Sequence, residues 1–169
     1  YHNKDEFEYA GAAGGFIDMY GYPFCRGRVL SQVEKDEGQY DDIAEIFWAS
    51  GACLFVRATA FSAAGKLDEK FFAHMEEIDL CWRFHIAGYR VCCNPASVVY
   101  HVGGGTLPYN SSLKTYLNFR NSLFLLFKNL PDEDLKEIIF RRKLLDGLAG
   151  IFFLLKGKLG SFKSVIKAH

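Results

Sequence analysis

The chain has 169 residues, half of them hydrophobic and 16% aromatic, enough for one domain with a substantial core. Twenty basic and twenty acidic residues give a formal net charge of zero, which excludes a nucleic-acid binder that works through overall charge. The five cysteines are odd in number and two are adjacent, a poor disulfide framework that fits a reducing compartment. Tyr1 is not an initiator methionine and no secretory leader follows it, so the chain is expected to be a piece of a longer protein.

Residues 1–22 are rich in glycine and aromatics, but the glycine spacing is not that of a dinucleotide-binding turn. Residues 23–28 continue as loop, where Arg26 and Arg28 suit an anionic ligand or plain solvent. Residues 31–45 are polar and acidic and are expected as a surface loop. Residues 46–57 form an apolar run broken by Ser50-Gly51, either a strand approached closely by another group or a simple bulge. Residues 58–66 predict a short helix closing at Gly65.

The centre of the chain is residues 71–83, Phe-Phe-Ala-His-Met-Glu-Glu-Ile-Asp-Leu-Cys-Trp-Arg. Met75, Ile78, Trp82 and Ile86 recur at helical spacing, and Gly88 is placed to end the helix. Glu76, Glu77 and Asp79 then share its first turn, at the positive end of the dipole, where carboxylates stay ionised. First-turn acids are common on ordinary helices, and Asp79 can simply pair with Arg83 one turn on. The apolar flanks point instead to carboxylates lining a pocket.

Beyond the helix, residues 89–93 and 97–101 predict two strands, with His101 beside three glycines. Cys81, His85, His74, Cys92, Cys93 and His101 invite a zinc reading, which the lack of a Cys-x-x-Cys pair weakens. Residues 112–128 predict a serine-capped helix. Arg120 and Asn121 inside its apolar surface need partners: a ligand phosphate, a buried acid or an internal salt bridge. Pro131 and the acids after it open another helix. Its apolar run at 147–155 is too short to span a bilayer and is flanked by basic residues. That suits a helix lying on an anionic leaflet, or one packed against a further part of the protein.

Three motifs in this order carry a resemblance. They are Phe71-Phe72 through Glu76-Glu77 to Asp79-Leu80-Cys81-x-Arg83, then Tyr100-His101-Val102-Gly103-Gly104, then Tyr116-x-x-Arg120-Asn121. Together they resemble the C-terminal half of GT-A-type, family 2 glycosyltransferases, rhamnosyltransferases in particular. Glu77 stands where the family's acid pair, usually Glu-Asp, carries the base.

The resemblance implies an α/β fold, the C-terminal portion of a GT-A domain, with a mixed sheet, packed helices and a helical C-terminal extension. It divides the chain into an acceptor-side, base-carrying half at 1–110 and an extension at 111–169 that can meet a membrane surface. It also implies an inverting transfer from a nucleotide-diphosphate sugar to a glycan or lipid-linked acceptor in cell-surface polysaccharide synthesis, with rhamnose the first candidate sugar. Glu77 is then the base, with Glu76 and Asp79 orienting it or the acceptor. Trp48, Ser50, Gly51 and Ala52 map to the loop beside the donor sugar, Arg120 and Asn121 to substrate contacts, and His101 to a divalent metal, Mg or Mn. The family's nucleotide-binding half, with its Asp-x-Asp metal motif, lies N-terminal to such a region. The fragment alone is therefore expected to be inert and to hold no metal. The expected location is cytoplasmic, peripheral on the inner membrane face, with no nucleic-acid partner. The rival is a non-catalytic glycan-binding or membrane-docking module.

Overall fold

The computed structural model describes residues 6–7, 12–29, 32–99 and 111–169. They fall into two compact units, one within Tyr1–Asp68 and Glu77–Gly103, the other within Glu69–Glu76 and Gly104–His169.

The first unit opens with four short strands, β1 (Gly15–Ile17), β2 (Pro23–Cys25), β3 (Arg28–Val29) and β4 (Gln32–Val33), paired antiparallel in that order. Residues 23–28, expected as loop, are therefore mostly hairpin. The turns explain it. Gly21 and Gly27 adopt φ of +79° and +80°, conformations that cost glycine little. The Asp18 carboxylate meanwhile accepts from the Tyr20 and Tyr22 amides at 2.9 and 2.8 Å. Strands of two or three residues are too short to show an alternating pattern. Arg26 is held inside the fold, its Nε donating to Ala13 O at 2.9 Å and its guanidinium lying over the Tyr40 ring.

β5 (Ala44–Glu45) pairs antiparallel with β6 (Cys92–Cys93), so the strand expected at 89–93 shortens to its last two residues. No parallel pairing, and hence no mixed sheet, occurs among the described residues. Residues 97–99 are not strand, and Tyr100 and His101 lie outside the described residues. Residues 46–57 also fail to form a strand. Trp48 makes one bridge to Gly15, and the chain then turns at 50–53, where the Ser50 hydroxyl accepts from the Ala52 amide at 3.2 Å.

α1 (Ala58–Ala63) closes at Gly65, φ +83°. α2 (Glu76–Ile86) ends at Gly88, φ +79°, where the Gly88 and Tyr89 amides fold back onto His85 O and Phe84 O. Its apolar side, Ile78, Leu80, Cys81 and Phe84, is buried with Ile46, Trp48 and Val91.

The second unit is helical. α3 (Ser112–Asn129) starts on Ser111, whose side chain accepts from the Lys114 amide at 3.1 Å. Such a cap is worth about 1 kcal/mol. α4 (Asp132–Leu155) follows Pro131 with three acids in its first turn, and α5 (Leu159–Ala168) folds back after Gly157. Gly150 of α4 faces Phe162 and Val165 of α5. No helix is long and apolar enough to cross a membrane among the described residues.

Candidate functional site

The site is built on the face of α2 that carries Glu77, Cys81 and His85, residues spaced one turn apart and therefore stacked along the helix. Each meets the chain segment 47–51. A Cβ added at Gly51 would lie 3.9 Å from the Glu77 Cβ. Cys81 takes a hydrogen bond from the Ala49 backbone. His85 Nε2 sits 2.8 Å from Phe47 O, and its ring stacks on Phe47 at 5.0 Å. The helix and the segment thus run alongside each other for two turns, and the small residues Ser50, Gly51 and Ala52 come to rest beside the half-buried Glu77.

Trp48 anchors this segment. It is buried, its indole N–H donates to Phe16 O at 2.8 Å, and its ring covers Gly15 so closely that any Cβ there would overlap it. Its side chain is thus spent on the core, while Gly51 and Ala52 are exposed at the loop tip. The loop holds its place through Trp48 and presents its small residues.

Asp79 takes the ion-pair role. It is fully buried, and Arg83 Nε and Nη2 reach its Oδ2 at 2.9 and 2.7 Å. Arg83 also donates to Lys66 O at 2.7 Å and to Ala64 O. Asp79 and Arg83 therefore tie α2 to the end of α1, with Leu80 and Cys81 buried beside them in the core.

In the second unit, the residues leading into α2 are strained. Phe72, His74 and Met75 have φ of +64°, +71° and +74°, each costing about 1–3 kcal/mol in a non-glycine residue. His74 Nε2 and Glu76 Oε2 are buried without a hydrogen-bond partner in this structure. Burial, and secondarily the Lys114 charge, lowers the His74 pKa below its ordinary value, keeping the ring neutral at pH 7.

Arg120 and Asn121 face this same segment. Asn121 is fully buried and its Nδ2 donates toward Phe71 O, Ala73 O and His74 O at 2.9, 2.8 and 2.7 Å. Arg120 donates from Nε to Asn121 Oδ1 at 2.9 Å and from Nη2 to Phe71 O at 3.0 Å. Backbone carbonyls between residues 70 and 74 thus serve as partners for this pair.

His101 lies outside the described residues. Among those described, no three His, Cys, Asp or Glu side chains converge as metal ligands. Cys81 and His85, the core of the zinc reading, are engaged by the 47–51 segment. The chain contains one Asp-x-Asp triplet, Asp132-Glu133-Asp134, and it forms the exposed first turn of α4, where acids stabilise the helix. The described residues do not fit a metal.

The chain is 43% identical over 88 residues to the N-acetylglucosaminyl-diphospho-decaprenol L-rhamnosyltransferase of Mycobacterium tuberculosis, 52% of this chain and 28% of that protein. It is 30% identical over 78 residues to Rhamnosyltransferase WbbL of Escherichia coli, covering 46% of this chain and 29% of the relative. It is 27% identical over 85 residues to the low-salt glycan biosynthesis hexosyltransferase Agl10 of Haloferax volcanii, 50% of this chain and 28% of the relative. The matched part thus spans less than a third of each of these proteins. No family model and no solved structure matches the chain.

Proposed function

We propose that the chain is the acceptor-side part of a family 2 glycosyltransferase of GT-A fold, with Glu77 as general base. The observation that carries this reading is the packing of Glu77, in the first turn of α2, against the small-residue loop at Gly51. A carboxylate beside a loop without bulky side chains suits a sugar site, a reading supported by the similarity to rhamnosyl- and hexosyltransferases.

In that reaction an acceptor hydroxyl oxygen attacks the anomeric carbon of a nucleotide-diphosphate sugar. Its proton passes to the Glu77 carboxylate, and the bond to the diphosphate breaks with the electron pair leaving on the diphosphate. The configuration inverts because attack and departure are on opposite faces. Rhamnose is the favoured sugar and a glycan or lipid-linked saccharide the favoured acceptor. A divalent cation that steadies the diphosphate belongs to residues beyond those described, His101 among the candidates.

The second unit has a surface suited to a membrane, where a lipid-linked acceptor would reside. Phe140, Leu144, Leu148, Ile151 and Leu155 are exposed along one face of α4, with Lys143, Lys156 and Lys158 nearby in sequence. This unit holds twelve Lys and Arg against seven Asp and Glu, the other eight against thirteen. An apolar stripe on a basic body suits the anionic inner leaflet and supports a reading of the protein as peripheral on the cytoplasmic face.

Glu77→Gln in the full-length protein tests the base. The change keeps shape and removes the proton acceptor, so transfer should fall by about 10²–10⁴. Undiminished transfer would refute the assignment of the base to Glu77, whereas a full-length wild type that transfers no sugar would favour a non-catalytic glycan-binding module.

A further inference from the structure

We infer that Asn121, oriented by Arg120, is a positioning residue for the base: it locks the strained segment Phe71 to Met75 in the conformation from which the chain enters α2 at Glu76. The inference rests on the proposed glycosyltransferase reading for its catalytic consequence, but not for its structural content.

Residues with positive φ at 72, 74 and 75 persist only where the surroundings over-determine them. Here the over-determination is visible. One buried amide nitrogen is within 2.9 Å of the carbonyls of Phe71, Ala73 and His74. Its two hydrogens are shared among three carbonyls, so one side chain ties together three residues of the segment. Which way the amide points is fixed from behind, since Arg120 Nε can donate only to Oδ1, turning Nδ2 toward the segment. Arg120 also reaches Lys70 O at 3.2 Å and Phe71 O at 3.0 Å, extending the grip to five contacts on four consecutive or near-consecutive residues. Phe71 itself is buried and packs edge-on to Phe124, one turn along α3. Asn121 is fully buried and its amide is engaged by this segment. Glu76 and Glu77 follow the clamped segment directly in the chain, so releasing it releases the start of the helix that presents them.

The test uses the full-length protein with Asn121→Ser and, as a milder change, Arg120→Met. Hydrogen exchange at the amides of residues 72–77 is expected to accelerate by at least about tenfold in either variant, the effect of losing one buried hydrogen bond. Transfer is expected to lose about 10–10² in kcat with KM for donor and acceptor within about threefold, because misplacement of a catalytic group is felt in the chemical step. Combining Asn121→Ser with His74→Gly and Met75→Gly, which remove most of the cost of positive φ, should restore part of kcat. A substrate-binding role would instead raise KM and show no rescue. Unchanged exchange in a folded variant would overturn the clamp whatever the activity. Accelerated exchange in a protein whose wild type transfers no sugar would leave the clamp standing and sink the proposed function. Should Asn121→Ser fail to fold, Arg120→Met carries the same exchange and kcat readouts.

Discussion

Two side chains near the site have titrations set by burial, and each gives a measurable consequence. The Cys81 thiol is pushed up to about 11, first by burial, with the Ala49 backbone hydrogen bond pulling the other way. Only thiolate is alkylated readily, so at pH 8 iodoacetamide should modify the exposed Cys53 and Cys92 and spare Cys81 in the folded protein, as peptide mass mapping would show. Early labelling of Cys81 would mean that the face of α2 along segment 47–51 opens. His74 behaves in the opposite sense. Its folded pKa is lowered below 6.5 by burial, so the unfolded chain takes up a proton first as pH falls. The stabilisation from the neutral ring is complete above the unfolded pKa and is lost on acidification through about 6.5 and below. The thermal midpoint should therefore fall between pH 7.5 and 5.5, and His74→Asn should reduce that fall. Asparagine also tolerates positive φ, so the variant should be no less stable at pH 7.5. An identical pH slope in wild type and variant would show that His74 is not protonated on unfolding.

At the scale of elements, the decisive contact is between β1 and the loop after β5. A Cβ on Gly15 would come within 2.0–2.5 Å of three atoms of the Trp48 indole. Since that indole is pinned by its bond to Phe16 O, it cannot step aside cheaply. Gly15→Ala should cost about 1–3 kcal/mol, a drop of roughly 3–10 °C in thermal midpoint, and should loosen the segment that carries Gly51. A midpoint within a degree of wild type would show that the indole does move. The helices were legible in the sequence because each carries a periodic apolar face and an end signal: Gly65 after α1, Gly88 after α2, a serine before α3. The strands were not, because β1 to β6 are two or three residues long and are specified by turns and by partners far along the chain. The site was legible in part. Ser50, Gly51 and Glu77 stand out as small residues and acids in an apolar setting. The roles of Cys81, His85 and Asn121 did not stand out, since a thiol or imidazole bound to a backbone carbonyl or amide leaves no pattern in the residues it binds. The positive φ values at Phe72, His74 and Met75 are likewise invisible in residue type, as none of the three is glycine.

For the whole molecule, the neutral total charge conceals a division that bears on where the protein works. The basic residues concentrate in the helical unit, and from residue 147 onward the sequence has four lysines and no acid. The exposed stripe of α4 lies in the same unit, so apolar insertion and electrostatic attraction can act on one surface. Each lysine near an anionic leaflet contributes about 1 kcal/mol, and the attraction is screened within a Debye length of about 8–10 Å. The 169-residue chain should therefore sediment with vesicles containing phosphatidylglycerol and leave neutral phosphatidylcholine vesicles largely unbound. Raising salt from 50 to 500 mM should weaken the binding strongly, while Lys143→Glu with Lys156→Glu and Lys158→Glu should reduce the partition coefficient by at least about 10². Leu148→Asp and Ile151→Asp, which leave the basic residues in place, should weaken it through the apolar part alone. If neutral vesicles bind equally well, the basic residues contribute nothing to the attraction, and if neither set of changes alters binding, neither the lysines nor the stripe of α4 carries it.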